Sequence, residues 1–113
     1  MAKRKRPARV YNCPVEAALG VIGGKWKIVI LCRLKEGVHR FGELRRQIPG
    51  VSERVLAQQL RELEQDGIVS RTVYPEVPLR VEYTMTPFGE TLRPALGVLY
   101  EWGETHLQRL EQR

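Results

Sequence analysis

The sequence predicts a mainly α domain with a small β-hairpin, arranged as a winged helix-turn-helix with terminal helices suited to dimerisation. Three observations carry this. Two helical segments meet at Pro49-Gly50. The hydrophobic period changes from helical to alternating just after Gly67. After Thr86-Pro87 it returns to a helical pattern that runs nearly to the end of the chain.

Cys13-Pro14-Val15-Glu16 predicts the first helix start, because Pro suits the first helical position, where a missing N–H costs nothing. Glu16 stands at the spacing from which a side chain reaches back to a cap at Cys13. This helix runs to about Ile22, and Gly23-Gly24 ends it. A second is expected from about Lys25 to Lys35, with Trp26, Val29, Ile30 and Leu34 on its buried side and Gly37 as its stop. Phe41 to Ile48 reads as a short third helix whose apolar positions are Phe41, Leu44 and Ile48. Beyond the Pro49-Gly50 turn, Ser52 has the chemistry to cap a fourth helix reaching about Gln65. Leu56, Leu60 and Leu63 form its apolar stripe, and Asp66-Gly67 closes it.

Val69, Arg71 and Val73 then alternate with Ser70, Thr72 and Tyr74. Val81, Tyr83 and Met85 alternate with Glu82 and Thr84. Two strands joined by residues 75–80 fit that period. Thr86 as cap and Pro87 as first residue open a last helix, expected to run to about Leu110 with a local kink at Pro94. Phe88, Leu92, Leu96, Leu99, Trp102 and Leu110 supply its apolar positions. Leu96, Leu99, Tyr100, Trp102, Leu107 and Leu110 point in more than one direction, more apolar surface than so small a domain covers by itself, which points to a partner helix from a second copy. The plainer alternative is that the chain's own first helix covers it.

The 113 residues suit one domain, and 42% hydrophobic with 28% charged residues is ordinary globular usage. The longest apolar run, Ile28 to Cys32, is far short of the ~20 residues of a membrane helix. No apolar signal core follows the basic start, so a soluble, cytoplasmic protein is expected. Two cysteines, Cys13 and Cys32, make neither a disulfide scaffold nor a zinc cluster. The net charge is +6. Lys3, Arg4, Lys5, Arg6 and Arg9 supply most of it with no acid among residues 1–9. Residues 1–12 therefore read as a basic arm suited to a polyanion, or as a merely solvated tail, ahead of a domain at 13–111.

At helical periodicity, Leu56, Leu60 and Leu63 of the fourth helix fall within one narrow arc. Arg54, Gln58, Arg61 and Gln65 gather on the opposite face, with no acid among them. A major-groove helix needs such a strip. Arg grips guanine and Gln grips adenine, each with two hydrogen bonds. Ser52 and Gln59 complete the candidate set on this helix, whose N-terminus suits a phosphate. A solvated face is the alternative for an isolated helix, since Arg and Gln are good helix formers. Arg80 near the wing tip is a candidate for the minor groove or a phosphate, and otherwise a turn residue in solvent. Arg40, Arg45 and Lys25 are weaker backbone candidates.

Cys13 is the one residue that suggests chemistry. A thiol at a helix start beside a basic arm sits where the reactive thiolate is favoured. The alternative is a small capping residue. Cys32, among Ile30, Leu31 and Leu34, reads as a buried, inert thiol. His39 and His106 have no metal-ligand spacing, and no phosphate loop or nucleophile elbow is present, so no enzyme, metal or cofactor is expected. Two rivals stay open: a winged-helix module that binds protein rather than DNA, and a small thiol enzyme using Cys13.

Cys13-Pro14-Val15-Glu16, Ile22-Gly23-Gly24-Lys25-Trp26 and Arg40-Phe41-Gly42-Glu43-Leu44 resemble the HxlR-type bacterial transcription regulators. So do residues 60–67, Leu-Arg-Glu-Leu-Glu-Gln-Asp-Gly, and Val81-Glu82-Tyr83. The resemblance covers about residues 13–110. It implies a MarR-like winged-helix homodimer, joined through the first and last helices, that binds palindrome-like operators in double-stranded DNA. It also implies that a small-molecule or oxidant inducer could act, since some members sense oxidants or electrophiles through a cysteine matching Cys13. Many members carry two consecutive prolines before the Val-Glu-Tyr strand, where this chain has Pro78-Leu79-Arg80.

Overall fold

A computed structural model describes residues 10–112. Most of the basic arm, residues 1–9, lies outside them. The elements are α1 (Pro14–Ile22), α2 (Lys27–Leu34), β1 (His39–Arg40), α3 (Phe41–Gln47), α4 (Glu53–Gln65), β2 (Val69–Tyr74), β3 (Arg80–Met85), α5 (Pro87–Glu90) and α6 (Arg93–Glu111). The four helices before the hairpin and the two wing strands stand where the sequence places them. Among the described residues no helix is long and apolar enough to cross a membrane.

Several local expectations change. The first helix cap uses no Cys13 side-chain hydrogen bond. The Glu16 carboxylate accepts the N–H of Asn12 at 3.0 Å instead, one residue further back. The second helix starts two residues late, at Lys27. Its buried residues are Lys27, Ile30, Leu31 and Leu34, the i, i+3, i+4, i+7 phase. Val29 falls outside that phase and is exposed. Cys32 is half-buried against the core rather than sealed in it.

The sheet has three strands, not two. The two-residue β1 joins the far edge of β3, pairing His39 with Tyr83 and Arg40 with Glu82, and the strand order is β1-β3-β2. Two residues carry no legible alternation, so this strand exists only through its partner. The hairpin pairs Val69 with Met85 through to Tyr74 with Arg80, which puts Arg80 in the ladder and leaves residues 75–79 as the tip.

The expected kink becomes a break. Leu92 stands as N-cap of α6 and Pro94 lies in its first turn, where its missing N–H is harmless, so the chain restarts a helix there. The short α5 is held in place by Thr86. Its hydroxyl accepts the Gly89 N–H at 2.9 Å and donates to the carbonyl of Gly67 at 2.6 Å. That bond ties the end of the hairpin back to the end of α4.

The core is built from Ile30, Leu31 and Leu34 of α2, Leu44 of α3, and Leu56, Leu60 and Leu63 of α4. Ile68, Val69, Tyr83 and Met85 join them from the hairpin, and Leu96 from α6. One charged pair enters it. Lys27, 8% exposed, reaches the Glu62 carboxylate and so fixes α4 against α2. The buried ammonium and the half-buried carboxylate satisfy each other there, which costs far less than burying either alone.

Candidate nucleic-acid interface

The fourth helix is anchored at both its start and its underside. The Ser52 hydroxyl accepts the Val55 N–H at 3.0 Å, satisfying one of the free donors of the first turn. Leu56, Leu60 and Leu63 are essentially without solvent contact. With that face fixed, Arg54, Gln58 and Arg61 are exposed on the other, while Gln59 and Gln65 are half-buried at its margins. The Gln58 amide lies 3.5 Å from the Glu62 carboxylate, a weak contact that leaves it available.

The flanking candidates have different surroundings. Arg40 is exposed and stands ahead of α3, its backbone N–H donating to Glu43 at 2.7 Å. Arg45 is loosely paired with Glu53 at 3.5 Å, on the α3 side of the turn. The Lys25 ammonium lies over the Trp26 ring, 4.7 Å from its centroid. Arg80 is already engaged. Its guanidinium meets Glu76 at 3.0 Å and Glu82 at 3.4 Å and stacks on Tyr74.

An open groove of about 370 Å³ separates α4 from the hairpin. Ala57, Arg61 and Glu64 line it from α4, and Arg71 and Tyr83 line it from β2 and β3. Sequence reasoning brought in Arg61 but passed over Arg71 and Tyr83. The signal was present in the alternation itself, since Arg71 shares its strand phase with Val69 and Val73.

Cys13 is exposed at the start of α1, remote in sequence from the α4 strip. Val15 and Leu19 of α1 are exposed, as are Val98, Leu99, Trp102, Leu107 and Leu110 of α6. Trp102 stacks on His106 with ring centres 5.4 Å apart. Among the described residues no three His, Cys, Asp or Glu side chains converge as a metal ion would need.

The sequence profile described as HxlR-like helix-turn-helix matches residues 21–111. The chain is 50% identical over 100 residues to the uncharacterized HTH-type transcriptional regulator YtcD of Bacillus subtilis strain 168, covering 88% of this chain and 79% of that protein. It is 51% identical over 96 residues to an uncharacterized HTH-type transcriptional regulator of Methanothermobacter thermautotrophicus, covering 85% of this chain and 73% of the relative. Among solved structures, the redox regulator HypR in its reduced form matches with a TM-score of 0.82 and 50% identity, over 89% of this chain and all of that one. HypR in its oxidised form matches with a TM-score of 0.79 and 53% identity, over 82% of this chain and 96% of that one. With a capped, solvent-facing α4 after a tight turn, a hairpin wing, and this likeness along nearly its whole length, the chain belongs to the HxlR-like helix-turn-helix family of DNA-binding transcription regulators.

Proposed function

We propose that the chain acts as a homodimer on a palindrome-like operator in double-stranded DNA, one α4 entering the major groove at each half-site. The observation that carries this is the exposed, acid-free strip of Arg54, Gln58 and Arg61 on a helix whose opposite face is fully buried. Arg54 and Gln58 read base edges, and Gln59 contacts the margin of the site. The start of α4 at Ser52 and the exposed Arg40 meet the backbone, and Arg80 meets it from the wing. Residues 1–12 act as a basic arm that neutralises phosphates, and residues 13–111 form the DNA-binding and dimerising domain. The protein works in the cytoplasm without membrane, cofactor or catalytic residues.

Homodimerisation is supported by the exposed apolar residues of α1 and α6. Regulation by oxidation or by an electrophile is assigned to Cys13. It is supported by the thiol's exposure at the start of α1, and by the solved oxidised and reduced forms of the similar HypR. Bulk or charge added there would tilt one subunit against the other and change the spacing of the two recognition helices.

The test is selection of bound fragments from the source genome, followed by binding of variants to selected and random duplexes. Arg54→Ala and Gln58→Ala should each cost ~1–3 kcal/mol on the selected sequence and relax preference at particular positions. Equal loss on random DNA would remove Arg54 from the base-reading set. Operator release by oxidant should persist in Cys32→Ser and vanish in Cys13→Ser; identical responses of wild type and Cys13→Ser reject the thiol switch.

A further inference from the structure

The groove between α4 and the wing contains a charge that the fold does not require. Residues 69, 71 and 73 of β2 share one sheet face with residues 81, 83 and 85 of β3, by alternation and by the register that pairs Arg71 with Tyr83. Val69, Tyr83 and Met85 on that face are buried in the core. Arg71 is the one charged member, and it is exposed. A strand that obeyed its own pattern would carry an apolar residue there. Arg71 has no hydrogen-bond or ion-pair partner among the described residues, and neither does Arg61 on the opposite wall. Two unpartnered guanidinium groups thus line one groove, together with the nearly buried Tyr83 of β3.

We propose that this groove seats a backbone phosphate of the DNA duplex, held between Arg61 of the reading helix and Arg71 of the wing. The proposal deepens the DNA-binding reading above and rests on it. Guanidinium forks match phosphate oxygens in geometry as well as charge. The groove is open, as a continuous strand needs. Glu64 on the α4 wall offsets one of the two positive charges, leaving about one. That suits a phosphodiester, which carries a single negative charge, and disfavours free phosphate, which carries more. The contact would fix the depth of α4 in the major groove, while Arg54 and Gln58 read bases.

The experiment uses the full chain and a random-sequence duplex of about 30 base pairs, long enough for two half-sites a helical turn apart. Because a phosphate contact ignores sequence, no operator need be known. Wild type, Arg71→Gln, Arg71→Lys and Glu64→Gln are titrated across a salt series. Arg71→Gln should lower the slope of log affinity against log salt by about one unit per protomer, with an unchanged melting temperature. Arg71→Lys should keep the slope, and Glu64→Gln should bind several-fold more tightly. In a second arm, inorganic phosphate at matched ionic strength should stabilise wild type and Arg71→Gln equally. Equal slopes for wild type and Arg71→Gln would overturn the assignment while leaving DNA binding intact. Arg71-dependent stabilisation by inorganic phosphate, with no change in slope, would make the groove a small-anion site instead. A wild-type chain that does not bind duplex at all would overturn the DNA-binding reading itself.

Discussion

Arg80 lies directly opposite Tyr74 in the β2–β3 ladder, and its guanidinium carbon sits 3.9 Å from the centre of the Tyr74 ring. Glu76 and Glu82 close on the same guanidinium from the tip and from its own strand. The wing is therefore braced by the residue that the sequence offers as a DNA contact. To meet a phosphate, as proposed above, Arg80 would have to exchange its carboxylate partners for it, so Glu76 and Glu82 would compete with the DNA for the same charge.

This competition predicts opposite effects from neighbouring substitutions. Arg80→Ala should loosen the tip, seen as faster amide exchange at residues 75–79, at a cost of about 1 kcal/mol. Glu76→Gln should tighten duplex binding by about twofold to fivefold, the reach of an ion pair of roughly 0.5–1 kcal/mol. Weaker binding by Glu76→Gln would show that bracing the tip matters more than freeing the guanidinium.

Gly89 is predicted to be irreplaceable by alanine. A Cβ there would stand 2.1 Å from the Ile68 carbonyl oxygen and 3.1 Å from its carbon, both backbone atoms that cannot step aside. Gly89→Ala should lower the unfolding free energy by roughly 1–3 kcal/mol or more, read as a lower denaturation midpoint. Gly42→Ala in α3 is the control, since its Cβ would meet only the flexible Arg46 side chain at 3.4 Å. That change should be neutral or stabilising by up to about 1 kcal/mol through helix propensity. Similar midpoints for the two variants would rule out the tight approach of α5 to the turn after α4.

The junction before α6 carries a pH signature. Arg93 donates to Glu90 at 2.7 Å and to the carbonyl of Lys35 at 2.8 Å, tying α5, α6 and the end of α2 together. Its hydrogen bond, with a smaller charge attraction, holds the Glu90 carboxyl below the ordinary value of 4.5. A lowered carboxylate contributes stability above its unfolded value and loses it as pH falls through the folded one. Arg93→Ala should therefore melt lower than wild type near neutral pH. The gap should narrow on acidification below about pH 4.5. A pH-independent gap would assign the whole effect to the Lys35 carbonyl.

Trp102 and Leu99 are predicted to lie in the contact between two copies. The apolar half of α6, from Val98 through Trp102 to Leu110, belongs to a helix about 28 Å long for its 19 residues, and only Leu96 of it is buried. Wild type should sediment at twice the chain mass at micromolar concentration. Trp102→Glu should sediment as a folded monomer with unchanged helical content. A wild-type monomer would remove the dimer and the two-fold operator together.

The sequence by itself determined the order of helices, the turn, the hairpin and the face of α4 that is left outward. The reason is that each depends on local signals: Ser52 and Thr86 as caps, Gly67 as a stop, and leucines at helical spacing. Exposed Arg54, Gln58 and Arg61 followed directly from that periodicity. Tertiary structure alone decided what depends on a partner distant in the chain. The strand His39–Arg40 exists because β3 offers an edge, and Lys27 is buried on α2 because Glu62 of α4 meets its charge. Arg80 has Tyr74, Glu76 and Glu82 within six residues, and the hairpin closes all three on its guanidinium, whereas Arg71 has no such partner across its groove. Charge is written in the sequence, but which charges remain free to bind is set by what the fold brings beside them.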